Sequence, residues 1–172
     1  MGLKGEPWHR MFNPLVVDVL REYVEDGGSL FGITGDLDNL GIYVARNGRP
    51  SAENLVDFYN QIIRNYIQGW VIDHSDSLRS VAFVPSGEEV FVVGISKNSE
   101  LTGKQFEEIR DGVMKLARDQ QFIDIGDTAA SFGAVVFGDK YRDETRELVE
   151  GIQDGKDDSV VYPIYLETMR RM

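Results

Sequence analysis

No cysteine occurs anywhere in the 172 residues, which excludes both a disulfide framework and a thiolate zinc site. The two histidines, His9 and His74, are too few and too far apart in the chain to suggest one built on imidazole. Nowhere do about 18 apolar residues run together, the length a membrane-spanning helix needs, so no membrane partner is expected. The opening stretch, Met1-Gly2-Leu3-Lys4-Gly5-Glu6-Pro7, carries no apolar core of a secretory leader, and the expected location is the cytoplasm. Positive charge is also scarce. Eighteen Lys and Arg stand against 29 Asp and Glu, a net charge of −11. Nonspecific binding to a nucleic-acid backbone needs a basic footprint and is not expected here. A nucleotide would have to arrive together with its metal ion.

What is present suits a folded chain: 42% hydrophobic residues and 10% aromatics are enough for a single domain with its own core. We divide it into a helical lead-in over residues 1–28, a central unit over 29–157 and a tail over 158–172. Asn13 to Val24 sets Leu15, Val16, Val19, Leu20, Tyr23 and Val24 at helical spacing before the stop at Gly27-Gly28. Ser29 to Ile33 is a short apolar run suited to a buried strand, and Ala45 to Pro50 reads as a loop. From Ser51, a plausible N-cap, Leu55, Phe58, Tyr59, Ile62, Ile63, Tyr66, Ile67 and Trp70 recur every three or four positions. This is the strongest helix signal in the chain, and its aromatics read as core packing.

Ser80 to Val84 and Val90 to Val93, rich in Val and Phe, frame a hairpin turn at Pro85 to Glu89. Thr102 to Arg118 reads as a second covering helix, with Thr102 and Gln105 at capping-box spacing. Thr128 to Phe137 reads as a strand, Arg142 to Gln153 as a short helix and Val160 to Tyr165 as a final strand or extended tail. Two long helices alternating with four strands, two of them in a hairpin, predict an α+β, ferredoxin-like core. Its order is βαββαβ, with a mainly antiparallel sheet, helices over one sheet face and an added N-terminal helix.

Two acidic segments stand at the ends of these strands: Gly35-Asp36-Leu37-Asp38-Asn39-Leu40-Gly41 and Ser86-Gly87-Glu88-Glu89-Val90. The predicted fold lets them converge. Hard carboxylate oxygens suit Mg²⁺ or Mn²⁺, and a pair of such ions about 4 Å apart is a recurrent device for phosphate chemistry. The metal-ligand set is Asp36, Glu88 and Glu89, with the Leu37 carbonyl as a further ligand and Asp38 ligating or orienting the others. Ser86 and Gly87 would let the backbone approach a phosphate closely. Taken singly, either segment is also an ordinary polar turn.

The Asp36-Leu37-Asp38-Asn39-Leu40-Gly41 segment, followed by Ser86-Gly87-Glu88-Glu89-Val90-Phe91-Val92-Val93-Gly94, resembles the palm domain of the large polymerase subunit of type III CRISPR effector complexes. It also resembles the GGDEF diguanylate cyclases. Ser131-Phe132-Gly133-Ala134-Val135 is similar to the S-x-G strand of both families, and Gly155-Lys156-Asp157 to the G-R-N closing the GGDEF pattern. The resemblance implies a nucleotidyltransferase or cyclase using Mg²⁺ or Mn²⁺, two ions, and ATP or GTP. A 3′-hydroxyl attacks an α-phosphate and pyrophosphate leaves. It implies Asp36, Glu88 and Glu89 as the catalytic carboxylates, and Asn39, Ser86, Gly87, Lys140 and Lys156 as nucleotide-binding residues. A product linking two triphosphates, one per subunit, calls for a homodimer. The chain departs from the cyclase pattern at Ser86, Val90 and Ile152, so a non-catalytic palm-like module that binds a nucleotide or a protein stays open beside the enzyme.

Overall fold

A computed structural model of the chain describes residues 14–97, 103–119, 130–138 and 140–153. Among these residues nine elements follow one another: α1 (Pro14–Asp26), β1 (Ser29–Leu37), α2 (Leu40–Asn47), α3 (Arg49–Asp73), β2 (Leu78–Ser86), β3 (Glu89–Ser96), α4 (Gly103–Asp119), β4 (Ala130–Gly138) and α5 (Arg142–Gln153). The four strands form one sheet in the order β2-β3-β1-β4, and every neighbouring pair is antiparallel. This is the α+β, ferredoxin-like arrangement that the alternation of helices and strands predicts. Its consequence is that β1, the first strand in sequence, lies inside the sheet and is hydrogen-bonded on both sides.

Apolar residues on alternate strand positions feed two separate cores. On one face Phe31, Ile33, Val90 and Val92 pack under α3 and α4 through Leu55, Tyr59, Ile62, Ile63, Ile67, Ile109 and Val113. On the other, Leu30, Phe91, Val93, Ile95, Val135 and Phe137 pack under Val16, Val19, Leu20 and Tyr23 of α1 and Leu148 and Val149 of α5. Helices therefore cover both faces, where the sequence reading covered one. The physical reason is visible in β1. Eight of its nine positions are buried, so it has no solvent face to leave open, and each aliphatic side chain buried this way contributes about 1.5–3 kcal/mol.

Two boundaries differ from the sequence reading. The expected loop at Ala45 to Pro50 is instead the junction of two helices that abut at Gly48. There a φ of 81° turns the chain within a single residue, a backbone conformation open to glycine. The Gly48 N–H donates to the Val44 carbonyl at 2.8 Å, and its own carbonyl accepts from Ala52 at 3.3 Å. Pro50 fits the first turn of α3 because the N–H it lacks would have no helical partner there. Gly48, and not Ser51, therefore occupies the N-cap position of α3. The expected cap at Thr102 and the strand at Val160 to Tyr165 lie outside the described residues. Among the described residues no helix is long and apolar enough to cross a membrane.

Candidate nucleotide and metal site

The end of β1 is where the acidic segments meet. Asp36 is the cross-strand partner of Glu89 on β3 and of Ser131 on β4. Directly opposed residues in an antiparallel sheet project from the same face, with Cβ atoms about 5 Å apart. Glu88 stands in the turn that joins β2 to β3. Ser86 and Glu89 pair across it, leaving Gly87 and Glu88 as its two central residues. Gly87 has φ 58°, whereas Asn39 is the only non-glycine with positive φ among the described residues. A positive φ at the first central position alone is the type II′ hairpin pattern, which matches the right-handed strand twist.

The hairpin tip is tied to the rest of the site by backbone and side-chain bonds. The Leu37 N–H donates to the Glu88 carbonyl at 3.1 Å, so the two acidic segments are joined directly. Ser131 Oγ donates to both carboxylate oxygens of Asp38, at 2.9 and 3.0 Å, and holds that carboxylate toward the β4 edge. From α3, Asn60 Nδ2 donates to the Gly87 carbonyl at 2.9 Å. Asn39 adopts a left-handed conformation with φ 60° just before α2. Its carbonyl accepts from the N–H groups of Ile42 and Tyr43, and its side chain is exposed.

Electrostatically this is a cluster of like charges. Burial raises the Asp36 carboxyl above its ordinary value, and Glu89, Glu88 and Asp38 raise it further, in that order, against an opposing hydrogen bond from the Leu37 amide. Tyr59 of α3 is pushed upward as well, first by burial and then by Asp36 and Asp38, which brings its hydroxyl within the field of the first acidic segment. Repulsion of this kind at Asp36 is what a divalent cation relieves, and the hard-oxygen donor set fits Mg²⁺ or Mn²⁺. As the side chains stand, no group of three or more His, Cys, Asp or Glu among the described residues is close enough to hold an ion. Ligation would therefore require the exposed Glu88 and the half-buried Asp36, Asp38 and Glu89 to turn inward.

The sheet register removes one expected residue from the site. Lys140 follows β4, whose Gly138 pairs with Leu30, at the opposite end of β1 from Asp36. Six residues of strand at about 3.3 Å each separate the two ends, and the Lys140 ammonium lies 4.8 Å from the centre of the Tyr141 ring. Lys156 lies outside the described residues.

Sequence reading passed over Ser131 as a site residue, took Tyr59 for core alone and omitted Asn60. A signal for Asn60 existed: it is a polar residue flanked by Val56 and Ile63 at helical spacing, on the edge of the apolar stripe of α3. A separate cleft of about 680 Å³ opens between α3 and α4, lined by Tyr66, Trp70, Asp73, His74, Glu108 and Asp111 among others. It lies along the C-terminal half of α3, beyond Tyr59 and Asn60, and its carboxylates would repel a triphosphate.

No protein-family model and no curated protein matches the sequence. Solved structures do. The active GGEEF domain of a diguanylate cyclase from Vibrio cholerae is similar at 18% identity over 69% of each chain, with a TM-score of 0.48. The GGDEF domain of DgcB from Caulobacter crescentus, solved with c-di-GMP, is similar at 17% identity over 81% of each chain, also with a TM-score of 0.48. The GGDEF domain of PA1120 from Pseudomonas aeruginosa follows at 19% identity over 78% of each chain and a TM-score of 0.45. The likeness to the CRISPR polymerase palm rests on the sequence motifs alone. The assignment of the fold stands on this chain's own strand order and registers.

Proposed function

We propose that this chain is a metal-dependent nucleotidyltransferase or cyclase that uses ATP or GTP to make a cyclic or linear oligonucleotide signal. The observation that carries the reading is the pairing of Asp36 with Glu89 across β1 and β3, at the strand end to which the Leu37 amide ties the Glu88 carbonyl. Asp36, Glu88, Glu89 and the Leu37 carbonyl would hold Mg²⁺ or Mn²⁺, with Asp38 beside them. When bound, the ions supply neutralisation of the triphosphate and of the charge that develops as pyrophosphate departs. In the reaction the 3′-oxygen forms a bond to the α-phosphorus, the bond from that phosphorus to the oxygen bridging to the β-phosphate breaks, and a glutamate takes the hydroxyl proton. The open backbone at Gly87 leaves room for phosphate oxygens beside the turn. A product linking two triphosphates, one held by each of two subunits, requires a homodimer.

The test is pyrophosphate release from ATP and from GTP, each with Mg²⁺ and with Mn²⁺, using the full chain. Release that disappears in Asp36→Asn and Glu88→Gln supports the reading. No release under any of these conditions, from folded protein that binds the metal, overturns it. The departures from the cyclase pattern at Ser86, Val90 and Ile152 favour a second reading, a palm-like module that binds a nucleotide or protein without catalysis. Triphosphate binding by calorimetry that is indifferent to metal and to Asp36→Asn would select it.

A further inference from the structure

We propose that Asn60 is the positioning residue of the acidic hairpin, fixing the Gly87-Glu88 turn and through it the divalent-cation affinity of the site. The inference rests on the metal reading of that site and deepens it. The Asn60 amide donates to the Gly87 carbonyl at 2.9 Å, and only its NH₂ end can do so, which settles the orientation of the side chain. The next carbonyl along the chain, that of Glu88, accepts from the Leu37 amide. Two consecutive carbonyls of the turn are thus held from two directions, one by α3 and one by β1. With both held, the peptide carrying the Glu88 side chain has no freedom to swing away from Asp36.

The cost of this arrangement argues against a purely structural role. Asn60 Oδ1 is buried and has no hydrogen-bond partner among the described residues, a state that destabilises a protein relative to an apolar residue of similar size. An aliphatic side chain at the edge of the α3 stripe would pack beside Val56 and Ile63 at no such cost. What an aliphatic residue cannot do is grip a carbonyl at the tip of a hairpin. Tyr59, the preceding residue, stands in the field of Asp36 and Asp38. One turn of α3 therefore addresses both acidic segments.

The experiment compares wild type with Asn60→Ala, Asn60→Asp and Asn60→Gln in the full chain by two readouts. The first is exchange of the Leu37 amide proton in metal-free protein, followed by NMR; the second is the Mn²⁺ dissociation constant from electron paramagnetic resonance. In Asn60→Ala, Leu37 exchange is expected to rise about tenfold, the ratio that loss of one hydrogen bond of ordinary net strength gives. Amides at the Leu30 end of β1 should keep their protection. The Mn²⁺ dissociation constant should rise by a similar factor. Asn60→Gln keeps a donor and should recover part of both effects, whereas Asn60→Asp has no donor and adds a like charge, so it should be at least as impaired as alanine.

Unchanged Leu37 exchange in Asn60→Ala overturns the proposal. So does a uniform loss of protection along β1 with Mn²⁺ affinity unaltered, the signature of a merely structural residue. Absence of Mn²⁺ binding by the wild-type chain overturns the metal reading instead, and Leu37 exchange then decides the positioning role by itself.

Discussion

Asp36 and Glu89 face each other across β1 and β3, two carboxylates on one face of a sheet at directly opposed positions. Like charges so placed oppose folding, and Glu88 and Asp38 add to the same repulsion at Asp36. The protein tolerates at this strand end an arrangement that its stability alone would remove. The experimental consequences divide by whether a cation is present.

In metal-free buffer at neutral pH, Asp36→Asn should be more stable than wild type. Removing one member of an opposed carboxylate pair gains about 0.5 kcal/mol, or about 1–2 °C in melting temperature for a chain of this size. Adding Mn²⁺ or Mg²⁺ should raise the wild-type midpoint and leave that of Asp36→Asn unmoved. Thermal unfolding of both proteins with and without metal checks the point, and a wild-type midpoint indifferent to both cations contradicts it.

The pH dependence carries a definite sign. Because the Asp36 carboxyl is raised in the folded state from an ordinary value of 3.8, the native protein holds that proton more tightly than the unfolded chain. Its contribution to stability is full below 3.8 and is lost as pH rises through the raised native value. Wild type and Asp36→Asn should therefore melt together in acid and diverge toward neutrality, with wild type the lower. A difference that is largest in acid would show the opposite linkage.

Much of this was legible in the sequence, and the failures have physical causes. The α3 stripe from Leu55 to Trp70 and the Val- and Phe-rich hairpin announced themselves because their periods match their elements. The junction at Gly48 did not. Asn47, Gly48 and Pro50 are turn residues, yet a one-residue corner needs one glycine, and proline suits the first turn of a helix. The spacing of Leu40, Tyr43 and Val44 carried the α2 signal that those residues masked. The acidic site was legible as composition at two strand ends. Its partners Ser131, Tyr59 and Asn60 were not, because their role depends on register and on which face of α3 meets the hairpin. The position of Lys140 also depends on register, since it follows the end of β4 that pairs with Leu30.

Lys140→Ala should accordingly leave triphosphate and Mn²⁺ affinity within about twofold of wild type, since single exposed charges away from a site are usually nearly neutral. Calorimetric titration checks it. A tenfold loss would place Lys140 in contact with the ligand, against the pairing of Leu30 with Gly138.

Ser131→Ala removes the donor that holds Asp38. An exposed hydrogen bond to a carboxylate contributes about 0.5–1 kcal/mol, so Mn²⁺ affinity should change by about two- to fivefold while the melting temperature moves little. Electron paramagnetic resonance of bound Mn²⁺ measures the first and calorimetry the second. No change in affinity would remove Asp38 from the site.

Two helix and strand glycines should respond in opposite directions to alanine. A Cβ at Gly94 would lie 2.4 Å from the buried Phe31 ring and 3.0 Å from the Ser80 carbonyl oxygen, whereas at Gly69 it meets nothing within 4 Å among the described residues. Gly94→Ala should destabilise by about 1–3 kcal/mol through overpacking. Gly69→Ala in the interior of α3 should stabilise by about 0.5–1 kcal/mol. Urea unfolding of the two variants measures both.

The placement of β1 between two other strands, with a core on each face, has a bearing on how the molecule comes apart. Segments that are bonded on both edges and buried on both sides open only when the whole domain opens, while edge strands and surface helices can melt by themselves. β3 is such an interior segment too, between β2 and β1. Asp36 and the Leu37 carbonyl ride on β1, Glu89 opens β3, and Glu88 precedes it in the turn. The proposed ligand set is thus anchored to the part of the sheet that comes apart last, whichever surface elements melt before it. Under mild denaturant, then, affinity for a cation should persist until the domain loses its shape.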